Sequence, residues 1–355
     1  MDAGSFPYRL EREGVLMRPD PSEPNEAEGV LNPAAGWSGQ QLFLLPRLVA
    51  AGNVSRVGLA RVELDGVRPV GVTRLGVVLE PETTWERGPD NAGVEDPRTT
   101  WLPSLGLHVM TYVAYGPAGP RTALAVSEDL RTWRRLGPVV YRWEAEAEVD
   151  LNLFHNKDTL FFPEPVTSPD GEPSFAVLHR PMGVLNPATA SVGDAPGDAP
   201  PAGSDHRESM WISFIPVAEV ARDLRALTVW RGHRYLAGPR YPWEQLKIGG
   251  GTPPLRVKEG WLVLHHGVTG RLDPGTDQQQ HVNYAAGGMI LDGAEPWRVV
   301  ARSTEPLLQA ETEEERSGIV PNVVFPTAIA EVEGQHFVFY GMADSCIGVA
   351  RLTRS

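Results

Sequence analysis

Short β-prone runs dominate this chain, and long 3.6-residue apolar periods are scarce. Leu107 to Tyr115, Thr122 to Val126, Phe175 to Leu178, Trp211 to Phe214, Trp261 to His265 and His336 to Tyr340 are rich in β-branched, aromatic and aliphatic residues. Clusters of Gly, Pro, Asp or Asn mark many of their ends, which predicts antiparallel strands joined by turns. Many short strands over this length predict an all-β fold: a propeller, a sandwich or a barrel. Within it, Ser127-Glu128-Asp129-Leu130-Arg131-Thr132-Trp133 is a small polar turn followed by a tryptophan. It suits the link between inner and outer strands of a propeller blade, or any β-hairpin closed by a Trp plug.

Two stretches lack the apolar residues that would offset the entropy of ordering them. Pro19 to Glu28 is rich in Pro, Glu and Asp, and Pro187 to Asp205 is Ala, Gly, Pro and Asp with no large apolar residue. The second lies between strand-like runs and reads as a surface loop. The expected organisation is a partly flexible N-terminal extension over residues 1–29 and one domain over 30–355, with 187–205 as its flexible loop.

Composition narrows the classes of partner. Hydrophobic residues at 41% and charged residues at 22% fit a soluble globular chain. No apolar run approaches a membrane span, and a cytoplasmic location is the default expectation. The single cysteine, Cys346, excludes an internal disulfide. A net charge of −13 argues against nucleic acid as the main partner. It leaves room for a small anion, because a few cations can converge in one pocket of an acidic protein.

Candidate chemistry sits in tight turns beside strands. Gly93-Val94-Glu95-Asp96-Pro97-Arg98-Thr99-Thr100 places two carboxylates and a guanidinium on one rigid stretch. Pro97 fixes its own backbone and pushes Asp96 toward an extended conformation. Such a turn could hold an acid over a pocket or be a surface turn with a local Asp–Arg pair. Lys247-Ile248-Gly249-Gly250-Gly251 could cradle a phosphate, yet it lacks P-loop spacing and by itself reads first as a Gly-rich turn with an exposed lysine. His265-His266 has no third ligand at a recognisable spacing, so no metal site is expected. No nucleophile elbow appears.

Taken in order, the motifs resemble glycoside hydrolase family 130, the mannoside phosphorylases and related mannosidases, over roughly Val30 to Leu352. The carriers are Asn32-Pro33-Ala34 with Arg47, Val94 to Arg98, Gly119-Pro120-Arg121, Asn156-Lys157-Asp158 with Phe162-Pro163, and Leu178-His179-Arg180-Pro181. Lys247 to Gly251, His266-Gly267-Val268, Asn322 to Thr327, Tyr340-Gly341 and Ala343-Asp344 complete the set. Departures are Pro46 within Leu45-Pro46-Arg47, and apparent insertions at Trp143 to Asp150 and Pro187 to Asp205. These leave the acceptor-side subsites open, since rim loops choose the acceptor.

The resemblance implies a five-bladed β-propeller with its site at the central funnel. It implies an inverting phosphorylase that cleaves a β-mannosidic bond with inorganic phosphate and releases α-mannose 1-phosphate. No cofactor is implied, and phosphate is the co-substrate. An inverting hydrolase needs an acid and a base about 6.5–9.5 Å apart. A phosphorylase needs the acid alone, with cations where the base would sit. Asp96 matches the family's acid, and Arg180, Lys247 and His266 match phosphate-holding positions, with Lys157 nearby. Asn32, Arg47, Arg98 and Asp344 match groups that hold mannose hydroxyls. Glu95, Arg121 and Tyr284 are further substrate-side candidates, while Arg47, Arg98 and Arg121 could instead pair with turn carboxylates. A water-using β-mannosidase of the same family and a non-catalytic mannoside-binding propeller are the alternatives. The expected partners are a manno-oligosaccharide and phosphate, with neither nucleic acid nor membrane. A homo-oligomer stays open.

Overall fold

The computed structural model describes residues 6–145, 149–184, 205–272 and 279–355. Strands come in chain order as β1 (Tyr8–Met17), β2 (Gly29–Ser38), β3 (Gln41–Ala50), β4 (Val54–Asp65), β5 (Arg68–Leu79), β6 (Ala92–Leu102), β7 (Leu107–Gly116), β8 (Gly119–Ser127), β9 (Arg134–Pro138) and β10 (Val140–Tyr141). There follow β11 (His155–Phe161), β12 (Val166–Thr167), β13 (Pro173–Met182), β14 (Met210–Pro216), β15 (Val229–Ala237), β16 (Lys247–Gly250), β17 (Leu255–Val257) and β18 (Gly260–Arg271). The last are β19 (His281–Leu291), β20 (Val299–Arg302), β21 (Val324–Val332), β22 (Gln335–Met342) and β23 (Cys346–Arg354). Among the described residues α-helix is confined to two single turns, Val217–Val220 and Glu313–Arg316. The fold is therefore nearly all β, as the run-and-turn pattern predicts.

Consecutive strands pair antiparallel in meanders: β2–β5, β6–β9, β13–β15 on β11, β18–β20 on β16, and β21–β23. The first two meanders join into one sheet through a two-residue parallel contact, Val54–Ala92 and Ser55–Gly93. Gly93, at φ +127°, is required there, because a Cβ would collide with the Ser55 backbone. The chain ends are locked together, since β1 pairs along β23 from Tyr8–Arg354 to Met17–Ile347. Five apolar clusters lie between neighbouring meanders. Ala34, Phe43 and Leu59 meet Val94 and Met110; Val109 and Val126 meet Phe175 and Trp230; Ile212 and Phe214 meet Trp261 and Met289. Leu264 and Ile290 meet Val338 and Ala350, and Phe337 and Phe339 meet Leu44 and Val62, so the last meander also packs on the first.

Two local expectations change. The Pro/Glu-rich stretch 19–28 is not loose. Glu26 is buried and accepts from Asp20 N (2.8 Å) and from Arg74 Nε and Nη2 (both 2.8 Å). Glu28 accepts from Gly52 N and Asn53 N. Buried charge pairing supplies the order that apolar burial does not. With β1 paired as well, residues 8–29 are built into the fold rather than trailing from it. At 127–133 the plug is Leu130, fully buried at φ +64°, while Trp133 is half-buried and donates to Leu130 O. The turn folds around Ser127 Oγ, which accepts Leu130 N, and Asp129 Oδ1, which accepts Arg131 N and Thr132 N. Of the expected insertion at 143–150, Glu144 binds Gly232 N (2.6 Å) and His233 N (3.1 Å). Nearly all of the expected loop 187–205 lies outside the described residues.

Candidate active site

The site is built on three equal irregularities. In β2 the pair Asn32-Pro33 stands opposite the single residue Pro46; in β6 Asp96-Pro97 stands opposite Tyr112; in β11 Asp158-Thr159 stands opposite His179. Each is a bulge, with its first residue left-handed: Asn32 at φ +42°, Asp96 at +45°, Asp158 at +54°. A bulge re-aims one side chain out of the pleat, and Asn and Asp tolerate this backbone best. Asp96 is thus left-handed rather than extended, and it sits inside one strand rather than in a turn between two. The conformation costs on the order of 1–3 kcal/mol, the kind of strain that persists where surroundings hold it. Pro46, the departure noted in sequence, faces a bulge where the ladder is already broken.

Asp96 is 11% exposed and held from three sides. Its Oδ1 accepts from Asn32 Nδ2 at 2.9 Å and from Arg47 Nη1 at 3.1 Å, and its backbone carbonyl accepts from Arg98 Nη1 at 2.8 Å. Arg47 also donates to Glu95 Oε1 (2.9 Å) and Ser55 Oγ (2.8 Å), so one guanidinium ties both carboxylates to β4. Glu95 lies 3.8 Å from Lys157 Nζ, and Lys157 rests over the Tyr115 ring. Arg98 is buried, donates to Gly251 O at 2.9 Å, and lies against the Phe325 ring. Pairing with carboxylates therefore holds for Arg47; Arg98 binds carbonyls through Nε and Nη1 instead, and its Nη2 has no hydrogen-bond partner among the described residues.

Asp158, Arg180, Glu208, Lys247, His266 and Tyr284 form the facing cluster. Arg180 Nε donates to Asp158 Oδ2 at 2.6 Å, and its Nη1 meets the Glu208 carboxylate. His266 Nε2 lies 3.7 Å from Asp158 Oδ2, its ring stacks on Tyr284 (5.7 Å between centroids), and Phe325 packs edge-on against it. Lys247 Nζ lies 5.6 Å from the Tyr284 ring centre. The Gly-rich stretch 249–251 makes this crowding feasible, since a Cβ on Gly249 would collide with Asp158 and His266. Behind Asp158, Asn156 Nδ2 donates to His179 Nδ1 (3.0 Å), and His179 Nε2 pairs with Ser213 Oγ (2.7 Å). Ser213 in turn pairs with His233 Nδ1 (2.8 Å), and His233 Nε2 with Arg142 O (3.0 Å). A carbonyl can only accept, so every donor in this chain points outward from Asn156.

Electrostatics divides the proton between carboxylates. Burial works to raise Asp96, but Arg47, Arg98 and Lys157 outweigh it and hold the group below the usual range. Burial, together with Asp96 and Glu95, pushes Asp344 up to about 6, although Arg47 opposes it. Two acids in one site with pKa values driven apart are a recurring mark of proton chemistry. Burial and Arg180 push Lys247 down to about 7. His266 falls to about 3 through burial, so at neutral pH it is a neutral imidazole rather than one of the cations expected at the phosphate-holding positions. Burial raises the Tyr284 hydroxyl above its usual range, and the two groups of residues meet where Lys157 reaches Glu95 at 3.8 Å and Arg98 bridges Asp96 O to Gly251 O.

The structure thus gathers Asn32, Arg47, Glu95, Asp96, Arg98, Lys157, Arg180, Lys247, His266, Tyr284 and Asp344. Arg121 stands apart: it donates to Asn152 O (2.9 Å) and Phe154 O (3.1 Å), clamping the segment that leads into β11. Asp158 and Glu208 are site residues that sequence reasoning left unassigned. Asp158 carried a signal, because Asn32, Asp96 and Asp158 follow at near-equal spacing (96 − 32 = 64; 158 − 96 = 62). Glu208 carried none. His265 is bound to Glu244 at 2.8 Å, and among the described residues no cluster of His, Cys, Asp and Glu could hold a metal ion.

The profile of a family described as "beta-1,4-mannooligosaccharide phosphorylase" matches residues 8–180 and 220–355. The chain belongs to glycoside hydrolase family 130. A 1,2-beta-oligomannan phosphorylase of a Thermoanaerobacter species is 29% identical over 97% of this chain and 96% of its own. A beta-1,4-mannooligosaccharide phosphorylase of Ruminococcus albus is 37% identical over 35% of this chain and 36% of its own. The solved beta-1,2-mannobiose phosphorylase of Listeria innocua superposes with a TM-score of 0.70 at 20% identity, covering 98% of this chain and 96% of that one. This family 130 member shares their fold, and among its described residues no helix is long and apolar enough to cross a membrane.

Proposed function

We propose that this protein is an inverting phosphorylase of β-mannosides, which transfers mannose to inorganic phosphate and forms α-mannose 1-phosphate. The observation that carries the reading is the facing pair of walls: Asp96 on a strained bulge, and Arg180, Lys247 and neutral His266 around one space opposite it. Arginine grips phosphate oxygens through a planar fork, and lysine adds a point charge. Phosphate is already a nucleophile, so the wall facing Asp96 needs cations rather than a base.

Asp96 serves as the acid that protonates the leaving oxygen. Its neighbours Arg47, Arg98 and Lys157 favour the ionised form, so substrate has to raise its pKa. A phosphate dianion does this, since nearby negative charge favours the protonated carboxyl. Asn32, Arg47, Arg98 and Asp344 hold mannose, with Glu95 fixing Arg47. The site lies at the centre of a five-bladed propeller in this reading, supported by the five interfaces between meanders, the last against the first.

Incubating β-1,4- and β-1,2-mannobiose with and without phosphate tests this. Phosphate-dependent release of mannose 1-phosphate is expected, and the preferred disaccharide assigns the linkage. Equal release of mannose without phosphate, and no mannose 1-phosphate, overturns it. One observation favours a hydrolytic second reading: Glu208 places a carboxylate on the cation wall, where an inverting hydrolase would hold its base.

A further inference from the structure

Glu208 sits where the phosphorylase reading expects the anion. It lies just before β14, and its backbone bridges Lys247, with Ile248 N donating to Glu208 O at 3.1 Å. Its carboxylate meets Arg180 Nη1, while Arg180 Nε holds Asp158. Arg180 is 5% exposed and Asp158 3%, whereas Glu208 keeps 22% exposure and so faces the open side of the pair.

Arg180 and Lys247 supply at most two positive charges, Asp158 and Glu208 supply two negative ones, and His266 is neutral. Glu208 thus adds a second carboxylate beside Asp158 against the positive charge of Arg180, Lys247 and the neighbouring Arg98. An anion made only of acceptor oxygens would meet the Glu208 carboxylate with nothing to donate, because an ionised carboxylate is acceptor-only. Hydrogen phosphate carries one P–OH and can donate it; sulfate at neutral pH cannot.

We propose that Glu208 is a specificity-determining residue of the anion site, accepting the hydrogen bond of a protonated oxyanion and repelling an unprotonated one. The proposal rests on the phosphorylase reading. During transfer an unprotonated phosphate oxygen bonds to the anomeric carbon as the glycosidic bond breaks. The leaving oxygen takes the Asp96 proton, and the P–OH stays on the phosphate against Glu208. The product leaves as the hydrogen phosphate ester, and Asp96 recovers a proton from solvent.

The test is calorimetric titration of the full chain with phosphate and, separately, sulfate, alongside turnover assays. The wild type should prefer phosphate, and Glu208→Gln should shrink that preference on the order of tenfold, the equivalent of one hydrogen bond to a charged group. Glu208→Asp keeps the acceptor and should keep the preference, which separates the role from misfolding. The proposal fails if Glu208→Gln leaves the phosphate-to-sulfate ratio unchanged or tightens both anions equally, the second making Glu208 a plug. It also fails if the wild type binds neither anion, or releases mannose without phosphate in a reaction that Glu208→Gln abolishes. Selective phosphate binding that depends on Glu208, without phosphate-dependent turnover, would sink the phosphorylase reading alone.

Discussion

Asn32 Nδ2 donates to Asp96 Oδ1 at 2.9 Å across 64 residues of chain. Each is the left-handed first residue of a bulge, in β2 and in β6. The bond exists because two strands break their ladders at the same level and turn one polar side chain each toward the same point. It also biases Asp96 toward its ionised form, which substrate must overcome.

Asp96→Asn keeps the size and polarity of the side chain but cannot give up a carboxyl proton. Turnover should fall by about 10²–10⁴-fold, the usual span for a general acid. Mannoside affinity, measured by calorimetry, should change little. Retained turnover would remove Asp96 from the acid role.

Arg47 neutralises two carboxylates that are 5% and 11% exposed. Arg47→Ala leaves both without their cation, so unfolding free energy should drop by about 3–5 kcal/mol. Denaturant titration at neutral pH reads this directly. A loss under about 1 kcal/mol would mean that water or Lys157 replaces the guanidinium.

Lys247 is held down to about 7 by burial and Arg180. At about pH 8.5 the free protein therefore carries it mostly neutral, and binding a dianion should pull its pKa up and take in a proton. Heats of phosphate binding in buffers of different ionisation enthalpy should reveal uptake approaching one proton. Lys247→Met should abolish it. Uptake that persists in the variant would point to another group.

Asp344 is raised to about 6 by burial first, then by Asp96 and Glu95. Its folded pKa lies above its unfolded value, so between about pH 4 and 6 the folded state binds more protons and stability falls as pH rises. Asp344→Asn removes this cost. The variant should melt higher than wild type at pH 8 and close to it at pH 4, while losing mannoside affinity. A lower melting temperature at pH 8 would show that Asp344 gains more from Arg47 than burial takes away.

The strand runs, the turn punctuation and the order of the motifs were legible in the residues themselves, because period, turn chemistry and short spacing are local properties. They determined an all-β chain, and the family resemblance carried by the ordered motifs named nearly the whole candidate site, from Asn32 to Asp344. What only the tertiary structure decided is how those groups are charged and partnered. Asp96 is left-handed against the local preference set by Pro97, because a bulge overrides it. Arg180 is already paired with Asp158 and Glu208, His266 is neutral, Arg121 clamps backbone carbonyls, and Leu130 rather than Trp133 fills the core. Each depends on burial and on which distant side chain arrives alongside. A carboxylate's pKa and an arginine's availability follow from that meeting of strands, which no single stretch of sequence encodes.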